Sequence, residues 1–459
     1  MTDRSMLEQL ERDLNDFDPQ LRRAAVLALA GSAVDGDASA PPVANMHAHT
    51  FFSFNAYGYS PSAIAWLAKK QNIRLMGIVD FDVLDGVDEF LNACDSLGVR
   101  GSAGMETRIF LPEFVVREIN SPGEPGVAYH MGIGFTTGQV PLEAAALLAD
   151  LRQRAERRNR LVMARLNDYL APLRVDYDAD VLPLTPAGNP TERHIVQAYL
   201  QTAARTRPDR IVFWADKLSM PPDEVASNLA DAPRFQNLVR VRLMKRGGHG
   251  YIAPTADTFP SLAQFHRLIL ACGALPCAAW LDGTSQGEQD ITELLGLLIG
   301  QDVAVLNIIP ERNWNIADPD ERHQKVEKLY EIVRLARELD LPLNVGTEMN
   351  SFGQRLVDDF SAAELAPVRR AFLDGAHFIY GHTVLQRALG LGYSSAWAQS
   401  RLPGRRERNL FYTQVGYRIL PGRASLDKLR TIGGSPDPEE FSSRLAGLFP
   451  LENNPDGEG

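Results

Sequence analysis

The chain has 459 residues, of which 45% are hydrophobic, and its 47 Lys and Arg against 58 Asp and Glu give a formal net charge of −11. This composition is typical of a globular protein with one large domain and additions, or with two to three domains. The acidic balance argues against broad binding to nucleic acid or to an anionic membrane surface, although it leaves room for a local basic pocket.

The cysteine content and the N-terminal sequence indicate in which cellular compartment the protein is expected. The three cysteines, Cys94, Cys272 and Cys277, form no CxxC pair, so neither a disulfide framework nor a structural zinc site is expected. The N-terminal residues lack the apolar core of a signal peptide, and no stretch is long enough to span a bilayer. We therefore expect a cytoplasmic protein without membrane association, and the oligomeric state stays open.

Residues 1–40 predict an N-terminal helical segment. Two amphipathic helices over 4–31 are interrupted at 16–19, where Asp18 is suited to cap the second helix and Pro19 to begin it. The stretch 32–41, rich in Gly, Ala, Asp and Pro, predicts a linker.

From residue 41 onward, short apolar runs alternate with amphipathic stretches. The apolar runs are 43–50, 74–81, 100–109, 127–135, 274–283, 303–310, 341–348 and 376–382, and the amphipathic stretches are 61–71, 86–96, 261–272, 286–299 and 322–339. This alternation predicts an α/β fold with parallel strands in a barrel or wound sheet.

The alternation stops between residues 136 and 245, where the chain is helical and rich in charge. We interpret 136–245 as a mainly helical insertion between two barrel parts, 41–135 and 246–383. Residues 384–459 predict a C-terminal extension whose last ten residues are disordered.

Polar side chains recur where the predicted strands end. Chemistry in a barrel of parallel strands collects at the carboxyl ends of the strands. These ends carry His47 and His49, Asp80 and Asp82, Glu106, His130, Asp282, Glu311 with Asn313 and Asn315, Glu348 with Asn350, and His382. His47 and His49 share strand parity, so their imidazoles project from one face and supply half of a metal site. Converging groups of this kind indicate a functional site, whereas single buried histidines such as His266 and His377 are expected to satisfy hydrogen bonds.

Six short motifs along the chain contain candidate metal-binding or catalytic residues. They are His47-Ala48-His49-Thr50, Asp80-Phe81-Asp82, Gly104-Met105-Glu106, Tyr129-His130-Met131-Gly132, Thr191-Glu192-Arg193-His194 and Gly346-Thr347-Glu348-Met349-Asn350. Over residues 43–352, their order and spacing resemble the PHP superfamily, the metal-dependent phosphoesterases related to polymerase and histidinol phosphatase domains. The resemblance implies a distorted, TIM-like (β/α) barrel of seven to eight strands with a helical insertion, and an activity on phosphate esters.

The resemblance also implies a set of metal ligands. His47, His49, Glu106 and Glu348 match one metal position, and His130 is the histidine that remains for a second. Phe81, Trp280 and Asn350 stand where the family has histidines. We therefore expect one well-formed divalent metal site, one partial site and one that is absent. The mixed nitrogen and oxygen set suits zinc, manganese or ferrous iron alike.

The remaining polar residues suggest roles in substrate binding and proton transfer. Phosphate oxygens suit cationic and imidazole groups, which here are Arg193, His194, Lys245 and Arg246. His249, Trp280, Asn313 and Asn350 are further candidates for lining the pocket. Asp80, Asp82, Asp282 and Glu311 are the candidates for acid–base catalysis.

Our leading hypothesis is metal-dependent hydrolysis of a small phosphorylated metabolite, such as a nucleotide or sugar phosphate. One alternative is a mononuclear, amidohydrolase-like hydrolase or lyase that acts on a non-phosphate substrate. Another is an inactive relative that binds a ligand. Phe81 and Trp280 separate these hypotheses, since rings that fill the cavity favour the inactive protein, whereas an open pocket lined by polar groups favours catalysis.

Overall fold

One sheet of seven strands forms the centre of the molecule. The computed structural model describes residues 4–32, 41–433 and 436–450. The strands lie in chain order across the sheet: β1 (Ala44–Ala48), β2 (Leu75–Phe81), β3 (Arg100–Phe110), β4 (Val127–Phe135), β5 (Leu275–Trp280), β6 (Val305–Ile308) and β7 (Leu343–Val345). The amide of Glu348 donates to the carbonyl oxygen of His47 at 2.8 Å, and the amide of His49 donates to the carbonyl oxygen of Glu348 at 2.7 Å. These bonds connect the chain after β7 to β1, so the sheet is barrel-shaped.

Helices surround this sheet. They are α1 (Arg4–Asp13), α2 (Pro19–Ala30), α3 (Pro61–Lys70), α4 (Val87–Leu97), α5 (Leu142–Tyr169), α6 (Glu192–Thr206), α7 (Arg210–Leu218), α8 (Pro222–Leu229), α9 (Ala232–Met244), α10 (Leu262–Ala271), α11 (Gln286–Gln289), α12 (Ile291–Ile299), α13 (Glu311–Trp314), α14 (Pro319–Glu338), α15 (Arg369–Leu389), α16 (Ala396–Arg401), α17 (Arg405–Arg418), α18 (Arg423–Arg430) and α19 (Pro438–Leu448). Short 3-10 or π turns cover Pro112–Phe114, Tyr177–Val181 and Leu182–Leu184. Within the described ranges, no helix is long and apolar enough to cross a membrane.

The predicted α/β barrel is confirmed, but the strand predicted at 376–382 is wrong. That run lies inside α15, which packs against several strands on one side and against α17 on the other. At Gly375, an added Cβ would overlap the carbonyl oxygen of Leu343, so the glycine permits this close approach. A helix that is buried all round carries a continuous apolar run, which periodicity alone cannot separate from a buried strand. His382 therefore lies on this helix, not at a strand end.

The expectation of parallel strands is also wrong at β4. This strand runs antiparallel to both β3 and β5, whereas the other neighbouring pairs are parallel. The connection from β3 to β4 contains a 3-10 turn and no α-helix, so the chain reverses at the end of β3 without a crossover. The beginning of β4 therefore lies beside the carboxyl end of β3.

The segment 136–245, predicted to be an insertion, contains an apolar core of its own. Buried side chains between Val162 and Met244 form a cluster that is separate from the core of the barrel. The side-chain amide of Asn189 donates to the carbonyl oxygens of Phe52 and Phe81, at 3.2 and 2.8 Å. The insertion is thus docked on the loops that follow β1 and β2.

The terminal segments pack on the same core as the barrel. The carboxylate of Asp18 accepts from the amide of Gln20 and Pro19 begins α2, which confirms the predicted cap. The described C-terminal residues are helical and bury side chains as far as Phe449 in the barrel core, and the predicted boundary at 383/384 falls within α15. Residues 33–40 of the predicted linker and 451–459 of the predicted tail lie outside the described residues.

Candidate metal centre

Three buried side chains converge, two from the carboxyl end of β1 and one from within β3. His47 and His49 are adjacent on one face of the chain, and Glu106 comes from the neighbouring part of the barrel. The Nε2 atoms of His47 and His49 lie 3.7 and 3.3 Å from Oε2 of Glu106, and the three ligand atoms all lie within 4.8 Å of one another. Donor atoms that share one cation at about 2.0–2.2 Å are separated by roughly 3–4 Å, so this spacing fits a common metal ion.

Hydrogen bonds behind the two imidazoles fix where their protons lie. Nδ1 of His47 lies 3.1 Å from Oδ1 of Asn307, an oxygen that also accepts from Asn344 at 2.8 Å. Since Oδ1 is an acceptor, Nδ1 of His47 carries the proton. Its Nε2 then presents a lone pair towards Glu106, as in metal-binding histidines.

His49 is oriented in the same way by a serine. Its Nδ1 lies 3.2 Å from Oγ of Ser53, whose hydroxyl donates to Oδ1 of Asp80 at 2.6 Å. The serine oxygen is thus the acceptor for Nδ1–H of His49. Among the described residues, neither Nε2 of His47 nor Nε2 of His49 has a hydrogen-bond partner. Two buried lone pairs without donors are what a metal ligand pair requires.

Glu106 stays ionised although it is buried. Burial alone would raise the pKa of Glu106, but contact with the imidazoles of His47 and His49 holds that pKa at about 2. Burial lowers the pKa of His47, and the neighbouring Glu106 outweighs this effect and raises it. A buried carboxylate is stable only when its charge is compensated, and here either protonated imidazoles or a bound divalent ion can compensate it. The donor set of two imidazoles and one carboxylate suits zinc, manganese or ferrous iron, so the residues present fit a divalent metal.

Asp80, predicted to be catalytic, lies behind this group. It is buried and accepts from the amide and the hydroxyl of Thr50, at 2.8 and 2.6 Å, as well as from Ser53. These donors occupy its oxygens and tie it to the loop that carries His49. Asp80 thus orients His49 through Ser53 and does not line the cavity described below.

Glu348, predicted to be the fourth ligand, faces the same cavity as Glu106 but is engaged elsewhere. Its Oε2 accepts from Nη2 of Arg312 at 2.5 Å and from Nε2 of Gln354 at 3.3 Å. Burial raises the pKa of Glu348, but the charges of Arg312 and His47 outweigh burial and lower it. Glu348 is therefore an ionised carboxylate close to the metal group, outside the 4.8 Å cluster.

The structure does not bring His130 to the metal group. Nε2 of His130 lies 2.7 Å from Nε2 of His266, whose Nδ1 lies 2.7 Å from the carbonyl oxygen of Gln301. Neighbouring side chains of a strand point to opposite faces, and on β4 it is Tyr129 that lines the cavity. A ligand for a second metal is therefore missing here, as it is at Phe81.

Phe81 packs directly on the metal group without closing the cavity. Its ring is stacked on that of His49, with centroids 4.3 Å and planes 21° apart. A cavity of about 570 Å³ opens beside it, lined by Phe81, Glu106 and Glu348. Its wall contains five aromatic rings and seven basic side chains: Phe54, Phe81, Tyr129, Phe259 and Trp280, and Arg108, Arg158, Arg193, Arg240, Lys245, Arg246 and Arg312. The pocket is thus open and polar, which is the arrangement that favours catalysis over an inactive relative.

Most of these cations have acidic partners. Glu192 lies 2.8 Å from both Nε of Arg240 and Nζ of Lys245, and Arg108 lies 2.7 Å from Glu124. Arg193 instead donates to Oγ of Ser351 at 2.5 Å. The wall therefore carries more positive than negative charge, which favours an anionic ligand.

The other predicted site residues divide between the cavity and the surrounding scaffold. Asp82, Arg193, Lys245, Arg246, Trp280 and Asn350 line the cavity. His194, His249, Asp282, Glu311 and Asn313 are not among its lining residues.

Two of the histidines are used in the scaffold of the insertion. His194 completes a capping box at the start of α6, where its Nδ1 accepts from the amide of Thr191 at 3.0 Å. His249 is stacked on Tyr169, with ring centroids 3.6 Å apart.

The acidic and amide side chains that follow β5 and β6 are held in their own loops. Asp282 pairs with Lys325 at 3.1 Å, and Glu311 accepts from Asn315 at 2.9 Å. Asn313 is fully buried and donates to main-chain carbonyl oxygens. These contacts orient the loops and place no general base in the cavity.

Some residues of the site were not predicted from the sequence. Arg108 lies two positions after Glu106 on the same strand, so parity could have identified it. Arg158 and Asn189 come from parts of the insertion where no motif distinguishes cavity-facing side chains from solvated ones. Asn307 is the one polar residue within the apolar run 303–310, and this exception could have identified it.

Comparisons with known proteins concern the fold. No family model matches this chain, and no curated protein matches it. The fold is similar to that of an amidohydrolase from Chromobacterium violaceum, solved with bound sulfate and no metal, at 16% identity over 70% of this chain and 96% of that chain, with a TM-score of 0.46. It is also similar to that of a candidate metal-dependent phosphoesterase from Bifidobacterium adolescentis, at 18% identity over 72% of this chain and 97% of that chain, with a TM-score of 0.44.

Proposed function

We propose that this protein is a metal-dependent hydrolase that acts on a small phosphorylated metabolite. One observation carries the proposal: His47, His49 and Glu106 converge with unpartnered Nε2 atoms beside a cavity of about 570 Å³ that is rich in basic side chains. His47, His49 and Glu106 would hold the metal. When bound, a divalent cation polarises a substrate oxygen and lowers the pKa of water, which makes hydrolysis feasible at neutral pH.

The protein's own residues supply binding and proton transfer. Lys245 and Arg246 line the cavity and suit the oxygens of an anionic substrate. Asp82 lines the same wall, accepts from Oγ1 of Thr107 at 2.5 Å, and has its pKa raised by burial. A carboxyl group with a raised pKa is suited to donate its proton to the leaving oxygen while water provides the new bond to phosphorus.

A mononuclear hydrolase acting on a non-phosphate substrate is the second candidate. The observation that favours it is the small ligand set, because Glu348 pairs with Arg312 and His130 lies elsewhere. The positive wall favours a phosphorylated substrate over a neutral amide or ester.

Metal content and phosphate release together test the proposal. We expect about one tightly held ion per chain, lost in the His47→Ala, His49→Ala double variant and retained in His323→Ala, whose histidine is exposed on α14. A screen of nucleotide and sugar monophosphates with manganese, zinc and iron should then show phosphate release that depends on His47 and His49. Protein that retains no metal, even after incubation with these ions, would contradict the proposal. Metal retention without release of phosphate from any ester would favour the second candidate.

A further inference from the structure

Two arginines of the cavity wall form no ion pair with any carboxylate that the structure describes. Arg158 donates a long hydrogen bond to the carbonyl oxygen of Thr258, at 3.5 Å, and lies over the ring of Phe259. Arg193 donates to Ser351 and lies over the ring of Phe54, with Cζ 5.4 Å from the centroid. In the part of the chain that the structure describes, no acidic oxygen lies within 4.0 Å of either guanidinium. Both arginines thus keep charge and donors available to a ligand.

These arginines differ from the other buried cations around them. Arg108, Arg240 and Lys245 are each within 2.8 Å of Glu124 or Glu192. Burial is the main cause that lowers the pKa of Arg158 and of Arg193 to about 10. A neighbouring arginine adds to this effect, and carboxylates that are not in contact, such as Glu192, oppose it. Partly desolvated positive charges of this kind gain from an anion that is brought into contact with them.

The fold fixes both arginines to the same wall. Arg158 lies on α5 between Ala155 and Asn159, which also line the cavity, and the amide of Asn159 donates to the carbonyl oxygen of Pro190 at 2.7 Å. Pro190 comes just before α6, whose second residue is Arg193. The insertion therefore presents the two guanidinium groups to the cavity from neighbouring helices.

The metal end of the cavity has a separate positive charge. Arg312 pairs with Glu348, so these two side chains cancel, and a divalent ion on His47, His49 and Glu106 leaves one net positive charge there. A single reacting phosphate carries up to about two negative charges, so this end of the cavity has no positive charge left for a second anion. A cavity of about 570 Å³ is far larger than one phosphate group requires and is in the range of sites for whole metabolites.

We propose that Arg158 and Arg193 form a subsite for a second anionic group, a phosphate or a carboxylate, on the substrate whose first phosphate is hydrolysed at the metal end. This inference rests on the proposed function. It narrows the substrate to metabolites with two separated anionic groups. The insertion, which is not part of the metal centre, then sets the substrate specificity.

Binding of non-hydrolysable probes tests the subsite without turnover. We would titrate the full-length protein, with and without manganese, with alkane-α,ω-diylbisphosphonates from ethane to hexane and with alkylphosphonates of matched length. At one chain length or more, the bisphosphonate should bind about 10- to 100-fold more tightly, as expected for an added charge-assisted contact. Matched ω-carboxyalkylphosphonates show whether the second group is a carboxylate or a phosphate.

Three variants test whether the higher affinity for the bisphosphonate depends on Arg158 and Arg193. Arg158→Gln and Arg193→Gln should each remove most of the bisphosphonate advantage and leave alkylphosphonate affinity within about twofold, since one contact is lost. Arg157→Gln, an exposed neighbour on the same helix, should keep the advantage. Equal binding of both probe types at every length would overturn the proposal, as would an advantage that survives both substitutions.

The outcome is separable from that of the proposed function. A bisphosphonate advantage that depends on Arg158 and Arg193, in protein that retains no metal, would support the subsite and contradict the hydrolase. Metal retention and phosphate release without any bisphosphonate advantage would support the hydrolase and contradict the subsite.

Discussion

The carboxylate of Glu348 is held by Arg312, with Oε2 2.5 Å from Nη2, although it faces the cavity beside His47 and Glu106. Glu348 has a positive φ of 63°, a backbone conformation that residues other than glycine rarely adopt. The barrel contact with β1 fixes this conformation, because the main chain of Glu348 bonds to His47 and His49. The backbone thus places the carboxylate of Glu348 close to the metal centre. The ion pair with Arg312 keeps this carboxylate from acting as a metal ligand.

Substitution of Arg312 should therefore strengthen metal binding. In Arg312→Gln, the carboxylate of Glu348 loses its cationic partner and becomes available as a fourth ligand. We expect the dissociation constant for manganese or zinc to fall by about tenfold, equivalent to about 1.4 kcal/mol, in a competition titration with a chromogenic chelator. Adding Glu348→Gln should reverse the gain. An unchanged or weaker affinity in Arg312→Gln would show that Glu348 cannot reach the metal.

Loss of the Ser53 hydroxyl should weaken the metal centre. Ser53 connects His49 to Asp80, and without it Nδ1 of His49 loses its acceptor and the ring loses its fixed orientation. We expect Ser53→Ala to reduce metal affinity by about 10- to 100-fold, as is usual for residues that support a ligand histidine. Ser102→Ala removes another buried hydroxyl on β3, bonded to Thr383 at 3.2 Å, and should leave affinity unchanged. Equal retention in both variants would contradict the orienting role.

A methyl group at Gly346 should separate β7 from the metal ligands. An added Cβ there would lie 2.5 Å from the backbone nitrogen and Cβ of His47 and 2.6 Å from Oδ1 of Asn45. These neighbours are held by the barrel, so we expect Gly346→Ala to cost about 1–3 kcal/mol in unfolding free energy, as for overpacking, and to release metal. Chemical denaturation and metal analysis of the same sample measure both effects.

Gly296→Ala is the matched control. Gly296 lies in α12 with nothing within 4 Å of an added Cβ, so alanine should be neutral or stabilise by up to about 1 kcal/mol. If Gly346→Ala were as stable as this control and kept its metal, the close packing of β7 against His47 would not matter.

The sequence predicts the centre of the site better than its walls. The i, i+2 spacing of His47 and His49 places both rings on one face once this segment is extended, and Glu106 follows from motif spacing, so these three are found together. The face that His130 occupies depends on the direction and pairing of β4, which its local sequence does not reveal. Strand parity is therefore sufficient for a ligand pair within one strand and insufficient between strands.

The charge-rich insertion shows a second limit of sequence-based prediction. Arg154 and Arg160 pair with acidic residues on the helix surface, whereas Arg158 faces the cavity, yet all three lie in one amphipathic run. Which arginine points inward depends on how α5 docks on the barrel, and that is decided by contacts such as those of Asn189 with Phe52 and Phe81. Tertiary contacts of this kind produce no pattern in the local amino-acid sequence.

The buried His194 should make the insertion sensitive to mild acid. Burial lowers its pKa from 6.5 to about 4, so the folded protein keeps it neutral while the unfolded chain takes up a proton near pH 6.5. Its contribution to stability is therefore complete above pH 6.5 and is lost as the pH falls towards 4. At about 1.4 kcal/mol per pH unit, the loss between pH 6.5 and 5 is about 2 kcal/mol.

His194→Gln isolates this contribution. Glutamine retains the acceptor that a capping box requires at this position of α6, but it does not titrate. Urea denaturation at pH 7.5 and pH 5 should show a smaller loss of unfolding free energy in the variant than in the natural chain, by about 2 kcal/mol. His323→Gln, at an exposed histidine, should behave like the natural chain. Identical pH dependence in all three proteins would mean that His194 is protonated at the same pH in the folded and unfolded states.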